Sequence, residues 1–142
     1  MINIHSKYGK VFITTERKVD SEFEQYQINI PPHKIHSFIY YSSLLIGDSQ
    51  AMTSEAAVLG VPSLRSNSFV GRISYLEEEH KYGLTFGFKP DESEKMFAKL
   101  DELLNTSNLK EEWQRRREKM LADKIDVTAF LVWFSVKGGQ VL

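Results

Sequence analysis

Asp48, Ser49, Glu55 and Arg65 are residues whose types and spacing suit chemistry, and all four lie in GDSQAMTSEAAVLGVPSLR, residues 47–65. The apolar run LLIG precedes Asp48, and a helical pattern begins directly after it. A Ser or Asp at such a junction is a natural N-cap. The same place offers unpaired backbone amides at the positive end of a helix dipole, which suits a phosphate group. Gln50 and Ala51 supply the next two amides. Both readings, a cap alone or a phosphate seat, stand at this point.

Glu55 sharpens the question. It falls on the helical stripe of Met52, Ala56 and Leu59, the side expected to pack inward. A buried carboxylate costs several kcal/mol, on the order of the penalty for an unpaired charge, unless it finds a partner. Arg65, at the end of the next expected strand, is one candidate partner. A vicinal diol such as a ribose is the other. Phosphate at the helix start and ribose beside the second turn would stand about 8–9 Å apart by helix rise, a span that suits one nucleoside diphosphate.

Other groups are weaker candidates. Glu16 and Arg17 end a β-branched run and would either line the same cleft or form a solvated turn. Ser66, Asn67 and Ser68 follow the Arg65 strand and would contact phosphate or sugar, or cap the next helix. The histidines are His5, His33, His36 and His80; none is spaced like a metal ligand pair beside a carboxylate, so no metal site is expected. The runs EEEHK and RRREK read as solvated helix faces.

These residues need a scaffold. Val11–Thr15 reads as a strand, residues 28–30 as a short strand before Pro31-Pro32, and 33–43 as a short helix. LLIG reads as a central parallel strand buried on both faces. A helix from Ser49 to Leu59 ends at Gly60, VPSLRS is a strand, GRISYLEEEHKYG is a helix closed by Gly83, and LTFGF is a strand. Asp91 and Glu94 stand at capping-box spacing before another helix, and residues 108–136 read as helical with a break near 123–126. Alternating strands and helices predict an α/β fold, a Rossmann-like three-layer sandwich with a parallel sheet of about five strands and a helical C-terminal tail.

The totals set the bounds. The chain has 142 residues, 42% hydrophobic and 26% charged, enough for one globular domain over residues 1–142 with a proper core. The net charge of −1 provides no field to recruit nucleic acid, and no apolar run approaches the roughly 20 residues of a membrane span. The chain has no cysteine and no signal-peptide core, and the expected location is cytoplasmic. FLVWF, residues 130–134, is too apolar to stand free in water and is expected to dock on this domain, on a second copy or on a separate partner.

IGDSQAMTSEAAVLGVPSLR resembles the nucleotide-binding segment of GT-B enzymes, especially the non-hydrolysing UDP-N-acetylglucosamine 2-epimerases. Those carry Asp-Ser-Gly-Gly, a Glu six residues after the Ser, Leu-Gly-x-Pro and a strand ending in Arg. The resemblance implies that Ser49 and the following amides hold a pyrophosphate and that Glu55 holds the uridine ribose. VFITTER, RSNSFVGRISYLEEEHKYGL and KIDVTAFLVWF extend the likeness to an uncharacterised GT-B-like family over nearly the whole chain. Two departures stand out. Gln50 and Ala51 replace the two glycines that would let backbone approach a pyrophosphate closely. The likeness also covers only the carboxyl-terminal domain of a GT-B protein, beginning just before that domain's second strand.

The expected function is therefore a nucleotide-sugar (UDP-sugar-like) binding domain of a glycosyltransferase-like or epimerase-like protein, inactive alone. Catalytic residues are not assigned, and no cofactor is expected beyond the nucleotide-sugar as substrate or ligand. The partners would be a homodimer mate or a separately encoded N-terminal GT-B domain. The alternative is a non-catalytic Rossmann-like binding or scaffold protein in which Glu55 pairs with Arg65.

Overall fold

A computed structural model describes residues 8–137 of the chain. Strands β1 (Leu45–Gly47), β2 (Ser63–Ser66) and β3 (Thr85–Phe88) form one parallel sheet in the order β1-β2-β3. Helices α1 (Ile35–Tyr41), α2 (Gln50–Leu59), α3 (Ser74–Lys81), α4 (Ser93–Leu104), α5 (Leu109–Ala122) and α6 (Val127–Lys137) connect and follow the strands. The α/β class and the parallel sheet are as the sequence predicts. The strand number is not: three strands pair among the described residues, where about five are expected.

The reason lies in the first 30 residues. Ile13 makes one isolated parallel bridge, its amide bonding the Tyr26 carbonyl and its carbonyl accepting from Ile28. No ladder extends from that bridge, so neither Val11–Thr15 nor residues 28–30 becomes a strand of the sheet. A β-branched run favours extended backbone, but a strand also needs a neighbour along its length. Ser21–Tyr26, between them, forms a 3₁₀ helix.

LLIG is likewise reassigned, from central strand to edge. β1 pairs only with β2, and Ile46 is 45% exposed. β2 holds the centre, with Ser63, Leu64 and Arg65 all buried. Leu64 packs with Leu84, Met96, Leu100, Leu103, Trp113 and Met120 on the side covered by α4 and α5. On the other side α1 and α2 enclose Ile39, Ala56 and Val61. There Ser63 donates to the Thr53 carbonyl and Thr85 donates to the Ser63 carbonyl, so both buried hydroxyls are bonded.

Two left-handed glycines end helices where the sequence places them. Gly60 (φ 73°) closes α2, with the Val61 amide bonding back to Ala56. Gly83 (φ 68°) follows α3. The start of α4 differs in detail from the Asp91/Glu94 expectation: Glu92 is the carboxylate that reaches back, accepting from the Lys89 amide at 3.0 Å. The break before α6 falls where residues 123–126 predict it, and the Asp126 carboxylate caps the Ala129 amide at 2.9 Å.

Candidate functional site

β1, β2 and β3 run in the same direction, so their carboxyl ends share one edge of the sheet, the edge at which open α/β sheets bind ligands. The turn from β1 into α2 lies on it. Ser49 has extended backbone (φ −72°, ψ 122°), and its Oγ accepts from the Met52 amide at 3.3 Å. The cap is therefore formed. It does not consume the hydroxyl proton, which remains able to donate. The Gln50 and Ala51 amides stand in the first turn, where no carbonyl of the helix can reach them. Ala51 and Asp48 are exposed, and Ser49 and Gln50 half-buried.

Asn67 locks this edge together. Its Nδ2 donates to the Asp48 carbonyl at 2.9 Å, and its backbone amide donates to the Phe88 carbonyl at 3.2 Å. Its Oδ1 accepts from the Phe69 amide at 3.0 Å and from Arg65 Nη1 at 3.4 Å. One side chain and its own backbone thus join the ends of all three strands. The sequence offers Asn67 as a ligand contact or a cap; the structure gives its carboxamide to the protein.

Arg65 is only 2% exposed. Its register partners on β1 and β3 are Gly47 and Gly87, and a Cβ at Gly87 would stand 3.0 Å from Arg65 Nη2. The space left by the missing Cβ is shared by the guanidinium and the Val70 side chain. Across from it, Glu79 of α3 is 6% exposed and accepts from the Ser54 hydroxyl of α2. Arg65 Nε and Glu79 Oε2 are both buried without a hydrogen-bond partner among the described residues. Burial lowers the Arg65 pKa against the attraction of Glu77, Tyr75 and Glu79. Burial also raises that of Glu79 against the Ser54 bond and the Arg65 charge. Each charge feels the other, but desolvation outweighs that attraction at both ends, as expected when two buried charges do not close into a direct ion pair.

Glu55 departs from the inward position that its stripe suggests. Its side chain is 41% exposed, and its Oε2 stands 3.4 Å from His36 Nε2 on α1. The pair expected between Glu55 and Arg65 is not formed; Arg65 points to α3 and Asn67 instead. Sequence spacing gave no sign of His36, because it lies 19 positions and a strand away from Glu55. Glu16 and Arg17 are exposed, and the Arg17 amide bonds Thr15 locally. The adjoining Phe12 ring contacts Phe38 of α1 at 5.6 Å between centroids. None of the hydrogen bonds or ion pairs of the described residues ties Glu16 or Arg17 to the Ser49 turn.

The structure thus brings together Asp48, Ser49, Gln50, Ala51 and Asn67, buries Arg65 beneath them, and sets Glu55 with His36 one to two turns along α2. Among the described residues no group of three His, Asp or Glu side chains could hold a metal ion. Two shallow surface hollows of the described residues lie elsewhere, one along α5 beside Gln114 and one beside Asp20 and Glu24. Searches of protein-family models, curated proteins and solved structures find no match to this chain.

Proposed function

We propose that this chain binds a nucleotide or nucleotide-sugar at the start of α2, as the donor-binding part of a glycosyltransferase-like or epimerase-like GT-B protein. The observation that carries it is the position of Ser49: an N-cap at the carboxyl end of a parallel strand, with free first-turn amides beyond it and a half-exposed Glu55 on the same helix. A diphosphate would take the Gln50 and Ala51 amides and the Ser49 hydroxyl, helped by the helix dipole. Glu55 would accept from the two hydroxyls of a ribose, in place of its exposed contact with His36. A diphosphate held this way is also stabilised as a leaving group. No residue of the described chain is assigned as a general base.

Calorimetric titration with UDP and with UDP-N-acetylglucosamine tests this. Binding with a Kd on the order of 10–100 µM, lost in both Ser49→Asp and Glu55→Gln, supports it. Absence of heat with every nucleotide tried, from a chain that melts cooperatively, overturns it. The alternative is a scaffold protein acting through a partner. The premise of that reading, Glu55 neutralised by Arg65, is not what the geometry offers, but the uncovered α6 keeps a partner in view.

A further inference from the structure

α6 has no buried residue, and its large apolar side chains from Val127 to Val136 are between 47% and 67% exposed. Such a helix is not stable bare in water, and no described residue of the body buries it. Its apolar residues occupy every face, but its two charges share one side. Asp126, Phe130, Trp133 and Lys137 follow one another at spacings of four, three and four, which places them on a single stripe. Ala129 and Phe134 flank that stripe. The two hydroxyl residues, Thr128 and Ser135, fall on the opposite side. The rings on the stripe already contact one another, Phe130 with Phe134 at 6.2 Å and with Trp133 at 6.0 Å between centroids.

We infer that α6 pairs with α6 of a second copy of this chain, antiparallel about a two-fold axis passing between Leu131 and Val132. An isologous pairing requires the stripe to complement itself, and in this register it does. Asp126 faces Lys137 of the other copy at both ends. Phe130 faces Trp133. On one flank Ala129 lies beside Trp133 and Val136 of the other copy, and on the other flank Phe134 lies beside Phe130 and Val127. The helix dipoles oppose, and Thr128 and Ser135 remain on the far side together with Leu131 and Val132. A lipid surface fits less well, because seating the rings in it would carry Asp126 and Lys137, on the same stripe, into the apolar layer. The stripe offers on the order of several hundred Å² per copy, below the roughly 800 Å² of a standard interface, so the pairing is weak and concentration-dependent.

Sedimentation velocity of the full chain over a range of concentrations tests the inference. The expected result is a monomer–dimer equilibrium in the micromolar range, weakened at least tenfold by Ala129→Trp, which crowds Trp133 of the other copy, with helix content unchanged by circular dichroism. A charge exchange tests the direction. Asp126→Lys alone and Lys137→Asp alone should each pair poorly with themselves, whereas an equimolar mixture of the two should restore the dimer. A chain that stays monomeric throughout, a dimer indifferent to Ala129→Trp, or a mixture that pairs no better than its components overturns the inference. So does a monomer that co-sediments with phosphatidylcholine vesicles, which would assign α6 to a lipid surface.

Discussion

The Glu55 carboxylate stands 3.4 Å from the His36 imidazole, with 41% and 60% of the two side chains exposed. The contact joins α1 to α2 but is too wet to hold them together, since exposed pairs of this kind contribute about 0–1 kcal/mol. Glu55→Gln should therefore change stability by no more than about 0.5 kcal/mol. It should weaken nucleotide binding at least tenfold if the carboxylate holds a ribose. Thermal melts with and without UDP read both quantities on one sample. An unchanged melting temperature without ligand and a lost ligand-induced rise in the variant is the expected pattern.

Ser49 separates its two roles by substitution. Ser49→Ala removes the acceptor for the Met52 amide and should cost about 1 kcal/mol in urea unfolding. Ser49→Asp restores an N-cap of equal quality and adds a negative charge at the dipole's positive end. Stability should return to the wild-type level or above it. Affinity for a diphosphate should fall in both variants, and further in the Asp variant through repulsion. Recovery of binding together with stability in Ser49→Asp would show that Ser49 is a cap and nothing more.

How much of this was legible in the sequence follows from the kind of signal each feature leaves. Gly60 and Gly83 mark helix ends because a left-handed residue without Cβ is a local requirement. The β1-α2 junction was legible for the same reason, since Ser49 caps within its own turn. Strand partnership is not local. Val11–Thr15 has strand composition, but only Ile13 finds a bridge, and LLIG is apolar enough for a central strand yet lies at the edge. Periodicity also gives a side chain's direction only to within a helix face. It placed Glu55 with the core stripe, whereas the α1 packing leaves that flank half open to His36. That Arg65 would be buried and answered by Glu79 from EEEHK, a run expected to be solvated, depended on where α3 lands.

Glu79 gives the chain a pH dependence whose sign is fixed by burial. Its folded pKa is raised above the ordinary 4.5, chiefly by desolvation. A carboxyl raised on folding binds its proton more tightly in the folded state. Its contribution is then fully present below the unfolded pKa and is lost as pH rises through the folded one. Glu79→Gln cannot ionise and can still accept from Ser54. The difference in unfolding free energy, variant minus wild type, should therefore grow more positive between about pH 5 and pH 8. A difference that is flat across that range, or that falls, would show that the charge of Arg65 governs Glu79 more than burial does.

The two tryptophans report on opposite ends of the stability scale. Trp113 is 2% exposed, donates from Nε1 to the Leu84 carbonyl at 2.8 Å and carries the Arg116 guanidinium 4.3 Å from its ring. Trp113→Phe strands that carbonyl and leaves a void, so a loss of about 2–3 kcal/mol in chemical unfolding is expected. Trp133, 54% exposed on α6, should cost the monomer less than about 0.5 kcal/mol when changed to Phe. In Trp113→Phe the remaining emission comes from Trp133 alone. At high dilution that emission should be red, as for an indole in water. It should shift blue with rising concentration as the antiparallel α6 pair forms, and stay red at every concentration once Ala129→Trp's less intrusive counterpart, Phe134→Asp, breaks the pair.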